Sequence, residues 1–258
     1  MPPFLFMEVC FMFAFAPHAR LFSFPIFFDG GCAPFIRDDL ASFALAQPQV
    51  RAQARVDDVL LGLSGEDGRV RVVFAFVVDA VLPWADYSAQ CRTGERRRVP
   101  RNVLDAADAI FPPNSHNPLP SWSGHTAADF ARDVEDGKHA LTSRRFWYFG
   151  KGDRVQMWLP DDLRALLPAE GFRAQANAPL MPRFAAFFNE ALTAHSTLER
   201  GSYGQPRHQP ELEGFDFIMS CSTLSASADG CGAQVEGRVP LDVLRDAERA
   251  NDAIGEAL

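Results

Sequence analysis

A chain of 258 residues, 47% of them hydrophobic and 22% charged, has the apolar material to bury a sizeable core, which argues against an intrinsically disordered protein. Its 33 acidic side chains outnumber 25 basic ones for a formal net charge of −8, so the overall field argues against a protein that coats nucleic acid by charge alone. Five scattered cysteines without a C-x-x-C pair argue equally against a zinc site and a disulfide framework, and fit reduced thiols in a cytoplasmic protein.

Residues 2–15 are almost wholly apolar, but no basic residue precedes them, Glu8 interrupts them and they are too few to span a bilayer. The expectation is an apolar extension over residues 1–20, with Met7 or Met12 as alternative initiators, and no membrane association. Residues 22–28 read as a buried strand closed by a turn at Asp29-Gly30-Gly31, because glycine supplies the positive φ that turns need. Pro25 inside that run fits an edge position or an irregular start. Residues 39–47 fit either a short helix or an irregular strand.

The next two segments, 56–63 and 69–82, predict a hairpin around Gly65-Glu66-Asp67-Gly68. The second is rich in β-branched and aromatic residues and suits a strand buried on both faces. Pro83-Trp84 opens a short helix to Gln90, and the basic run that follows, with Arg96, Arg97 and Arg98, reads as a solvated turn able to supply phosphate contacts. Residues 111–126, rich in Pro, Asn, Ser and His, predict a long irregular loop of the kind that carries function. Strand character returns over 139–149.

Acidic residues at Asp161 and Asp162 mark a helix start, and a second helix over 182–195 carries Phe184, Phe187, Phe188 and Leu192 at core-packing spacing. From Thr197 onward the composition predicts a linker and an acidic extension over 197–258, with a helix from Pro240 and a surface for a protein partner.

No phosphate-cradling glycine loop, zinc-binding helix or nucleophile elbow occurs, so neither cofactor nor metal is expected. His125, in the polar loop, is the best acid/base or hydrogen-bonding candidate, since an ordinary imidazole titrates near neutrality. Asp133 and Asp108 are candidates to orient it or to bind a sugar hydroxyl. Strand alternation puts Arg145, Trp147 and Phe149 on one face, and Arg144, Phe146 and Tyr148 on the other. Arg144, Arg145, Trp147 and Tyr148 are therefore candidate ligand contacts, the rings to stack on a base and the arginines to reach its edge or phosphate.

An ordered series of segments carries a family resemblance: Asp29-Gly-Gly-Cys-Ala-Pro-Phe-Ile-Arg37, Ala46-Gln-Pro-Gln-Val-Arg51, Ala54-Arg-Val-Asp-Asp58, Gly62, Phe74-Ala-Phe-Val-Val-Asp79, Trp84-Ala-Asp-Tyr87, Asp108-Ala-Ile-Phe111, Ser123-Gly-His125 and Leu141-Thr-Ser-Arg-Arg-Phe-Trp-Tyr-Phe-Gly150. This order resembles the second family of nucleotide modification associated domains, found in phages and bacteria beside DNA base-hypermodification systems. The resemblance covers about residues 20–190, and its most specific part is the closing Ser143-to-Gly150 segment. Two departures stand out: the family's Cys-Lys-Pro is Ala46-Gln47-Pro48 here, and its Val-Gly-Asp is Val56-Asp57-Asp58. One removes a lysine suited to phosphate, and the other a glycine suited to a turn.

The resemblance implies an α+β domain over residues 21–196. Its expected form is a small mixed or mostly antiparallel β-barrel-like sheet with flanking short helices, similar to barrels of the PUA, ASCH and EVE type. It implies a protein that binds a nucleotide, nucleic acid or modified base. Two alternatives stand beside this: an enzyme acting on a nucleotide or base through His125 and an acidic partner, and a structural or interaction protein.

Overall fold

The computed structural model describes residues 13–26, 32–37, 39–92, 99–100, 107–119, 121, 125–150 and 156–194. The expected turn at Asp29-Gly30-Gly31, the Arg96 to Arg98 run and the expected helix from Pro240 lie outside the described residues. The fold is α+β, as expected, with its strands divided between two sheets.

The first sheet orders its strands β1 (Leu21–Pro25), β4 (Val59–Glu66), β5 (Arg69–Val77) and β8 (Arg145–Tyr148), with β9 (Met157–Trp158) also paired to β5. Only β1 and β4 run parallel; the other pairs are antiparallel. The second sheet is antiparallel throughout, in the order β2 (Phe35–Arg37), β3 (Leu40–Phe43), β7 (His139–Ser143) and β6 (Ala80–Pro83). Among the described residues neither sheet closes into a barrel, so the barrel-like expectation gives way to a two-sheet sandwich.

The hairpin of β4 and β5 turns at Asp67 (φ 48°) and Gly68 (φ 73°), the left-handed pair that matches strand twist in a two-residue connection. Gly62 lies at a register shift in β4, where a Cβ would come within 2.2 Å of the Phe74 ring. The expected long strands 69–82 and 139–149 each break once. β5 leaves the first sheet at Val78 and continues as β6 in the second, while β7 returns to the first sheet as β8 through Arg144. Asp79 fixes this double crossing: its carboxylate accepts the Arg144 backbone N–H at 2.6 Å and Arg145 Nε at 2.6 Å.

Between the sheets lies a core of Phe22, Phe24, Phe74, Phe76, Phe146 and Tyr148 against Ile36, Phe43 and Leu141. The outer face of the first sheet, including Leu61, Val72 and Trp147, is covered by the 3₁₀ turn Asp161–Leu166 and by α3 (Met181–Ala194), whose Phe184 and Phe188 pack inward as expected. Phe13 joins this layer: its backbone N–H and C=O are both bound by the Asn189 side chain, at 2.7 and 2.8 Å. The outer face of the second sheet is covered by α2 (Trp84–Arg92) and by Ile110, Phe111 and Phe130. No described helix is long and apolar enough to cross a membrane.

The open choice over residues 39–47 resolves as strand β3. It is followed by two left-handed residues, Ala46 and Gln47, that lead into α1 (Pro48–Gln53).

Candidate functional site

The polar loop after Phe111 delivers His125 to a pair of tight turns. Thr126 and Asp129 form a capping box that starts the 3₁₀ turn Ala127–Asp129: the Asp129 carboxylate accepts the Thr126 backbone N–H at 2.7 Å and its hydroxyl at 2.9 Å. The chain then enters a π-helical turn, Ala131–Asp136. π turns are rare and occur often at functional sites, because the widened turn re-aims its side chains. Here it directs Asp133 into the protein.

Asp133 is wholly buried. One carboxylate oxygen is hydrogen-bonded to Nδ1 of His125, whose side chain is equally buried, and the other accepts Arg132 Nε at 3.0 Å. Arg132 is part-exposed, with 28% of its side chain open to solvent, and also pairs with Asp129 at 2.9 Å. Burial by itself would raise the pKa of Asp133; the His125 ring and the Arg132 guanidinium outweigh that and hold it well below the usual carboxylate range. An anionic Asp133 on Nδ1 sets the tautomer of His125, with the proton on Nδ1 and the basic lone pair on Nε2.

Arg51, from α1, braces the turn from behind. Completely buried, it donates to three backbone carbonyls: Ala46 at 2.8 Å, His139 at 2.7 Å and Asp133 at 2.6 Å. Gly137 makes room for it, since a Cβ there would come within 2.2 Å of the guanidinium. Burial lowers the Arg51 pKa to about 10, opposed by the fields of Asp133 and Asp108 and reinforced by Arg132. The group stays charged at neutral pH.

Asp108 belongs to a neighbouring buried trio. It accepts the Tyr87 hydroxyl at 2.5 Å and the Ser42 hydroxyl at 2.7 Å, and those two hydroxyl oxygens lie 2.9 Å apart. It is therefore Asp133 that orients His125, while Asp108 acts on α2 and β3 and is felt by Arg51.

The expected site residues thus divide into two groups. His125, Asp133 and Asp108 gather around Arg51. Arg144, Arg145, Trp147 and Tyr148 do not join them: His139 opens β7 and Arg144 follows its last residue, five residues or roughly 17 Å away at strand rise. Arg144 pairs with Asp39. Arg145 bonds Asp57 at 2.8 Å and Asp79 at 2.6 Å; burial works to lower its pKa, but these bonds raise it.

Asp57, where the resemblance implies a turn glycine, has a left-handed φ of 71°, and its carboxylate is one of the two that hold Arg145. Trp147 is 5% exposed and packs edge-on against Phe13 and Phe188, while Tyr148 lies in the core between the sheets. The faces of these two rings are spent on packing.

Arg51 and Arg132 were not among the expected site residues. The signal for Arg51 was its place in the Ala46-to-Arg51 segment that carries the resemblance; Arg132 has none beyond its adjacency to Asp133. Among the described residues, no group of three or more His, Cys, Asp and Glu is placed to hold a metal ion.

The sequence model of one family, nucleotide modification associated domain 2, matches residues 18–209, well over half the chain. No curated protein and no solved structure matches it.

Proposed function

The chain belongs to the nucleotide modification associated domain 2 family, and on that premise we propose that it binds a nucleotide or modified base beside the His125–Asp133 pair, in a DNA base-modification or phage-related setting. The observation that carries this reading is the buried His125–Asp133 pair, braced by Arg51 on the Asp133 carbonyl, with the part-exposed Arg132 side chain bonded to Asp133 at the same turn. An imidazole can exchange a hydrogen bond with a base edge, and a part-exposed guanidinium suits a phosphate or a carbonyl. A protein with a net charge of −8 suits a small ligand held by a few local donors better than a long polyanion.

The test is thermal shift and calorimetric titration with thymidine 5′-monophosphate, 5-hydroxymethyl-deoxyuridine 5′-monophosphate and oligonucleotides carrying modified bases. Wild-type protein is expected to bind at least one of these, and His125→Ala to lose that binding while melting cooperatively. No binding of any probe to the wild type contradicts the reading.

The Asp133–His125 geometry favours a second reading, in which the protein acts on the bound nucleotide. With Nδ1–H fixed on an anionic carboxylate, Nε2 is the proton-accepting atom of a general acid–base pair. On this reading His125→Ala slows conversion of a nucleotide, followed by chromatography, by roughly 100- to 10,000-fold. Unaltered turnover in that variant excludes it.

A further inference from the structure

Trp147 and Tyr148 are buried in the cores, so a base at the proposed site needs another aromatic surface, and the loop that carries His125 holds one. Phe130 links the capped 3₁₀ turn to the π turn, three residues before Asp133. One side of its half-buried ring is fixed against the fully buried Phe111, edge-on, at 5.3 Å and 86°. A face of the Phe130 ring carries the ring of His116 at 4.0 Å and 13°, a parallel stack. His116 itself is exposed to solvent. It comes from the polar loop after Phe111, which is clipped at its base by the Leu119 N–H on the Ile110 carbonyl at 2.8 Å and closed within itself by the Ser115 N–H on Pro112 at 3.2 Å. Compact surface loops whose ends are held close in this way are frequently functional.

We infer that Phe130 is a base-stacking platform, and that His116 is its cover, occupying in the ligand-free protein the position that a nucleobase takes on binding. A parallel ring at 4.0 Å is the geometry of a stacked base, and the face of a ring steadied edge-on by Phe111 is available to any planar heterocycle once the imidazole swings aside. The platform is sequence-tolerant by nature, because every base has a π-face. Discrimination among bases then falls to the groups one turn away, His125 and Arg132. This rests on the nucleotide-binding reading and adds to it the part of the ligand that is gripped and the residue that grips it.

The experiment titrates thymidine 5′-monophosphate into wild type and three variants. Phe130→Leu keeps an apolar contact with Phe111 but has no π-face, and is expected to bind at least about tenfold more weakly. Phe130→Trp keeps the platform; it is expected to retain affinity and to show ligand-dependent fluorescence quenching beyond that of the wild type. His116→Ala removes the cover and is expected to bind several-fold more tightly. Wild-type affinity in Phe130→Leu, with the wild type binding, overturns the platform and leaves the binding reading standing. Weaker or unchanged binding in His116→Ala overturns the cover. A wild type that binds no nucleotide overturns the reading and the platform together.

Discussion

Asp133 lies below its ordinary titration range because His125 and Arg132 outweigh the cost of burying it, and the direction of that shift determines how acid acts on the fold. The unfolded carboxylate titrates near 3.8, and the folded one lower. Its contribution to stability is therefore complete above pH 4 or so, and is lost as the pH falls from there through the folded value. Asp133→Asn is expected to lower stability at neutral pH and to flatten the fall in denaturation midpoint below about pH 4. Urea titrations across pH check this, and identical acid slopes in both proteins contradict it. His125 was legible as a candidate because it stands in a polar loop, and Asp133 as an acidic neighbour able to orient it. The burial of Trp147 and Tyr148 was not, since alternation along a strand assigns faces without saying what covers each one. Arg51 was hidden for a similar reason: its three acceptors are backbone carbonyls, which leave no mark in the sequence.

Elements were legible where composition decides them. The β-branched and aromatic content of 69–82 formed a strand over its first nine residues, the turn expected over Gly65-Glu66-Asp67-Gly68 tightened to its last two with Gly65 and Glu66 kept in β4, and Phe184 and Phe188 of the α3 stripe packed as read. The breaks in the two long strands were not legible, because the bend is set by the Asp79 carboxylate on Arg144 and Arg145, a contact between segments about 65 residues apart. Helix α1 escaped notice because the six residues from Pro48 are too few to show a periodicity. The same contact yields a prediction at this scale. Asp79→Ala removes two charge-assisted hydrogen bonds at a part-exposed corner and is expected to cost about 1–2 kcal/mol. Because the corner lies at the far end of β7 from His139, thymidine 5′-monophosphate affinity is expected to stay within about twofold of wild type. A larger loss of affinity at undiminished stability would tie the corner to the site.

At the scale of the molecule, the two sheets enclose one core, and each outer face is closed by different material. The α3 side completes itself with Phe13, so part of the apolar N-terminal run is structural, as its rings against Trp147, Phe184 and Phe188 show. Phe13→Ala is expected to destabilise the protein by about 3–5 kcal/mol in urea unfolding. Nucleotide affinity should be unchanged, because Phe13 packs on the outer face of the first sheet and the site lies beyond the second. A cost below about 1 kcal/mol would show that the N-terminal segment does not complete this layer. The family segments anticipated an α+β domain, whereas the separation into two sheets depends on where the chain crosses between them.

We propose nucleotide binding at the turns around His125 and Asp133. Backbone hydrogen exchange of the full chain, with and without saturating thymidine 5′-monophosphate, tests it most directly. Exchange is expected to slow over residues 125–136, to change over 111–119, and to stay as it is in β8 and α3. Protection confined to residues 144–150, or protection nowhere, would contradict it.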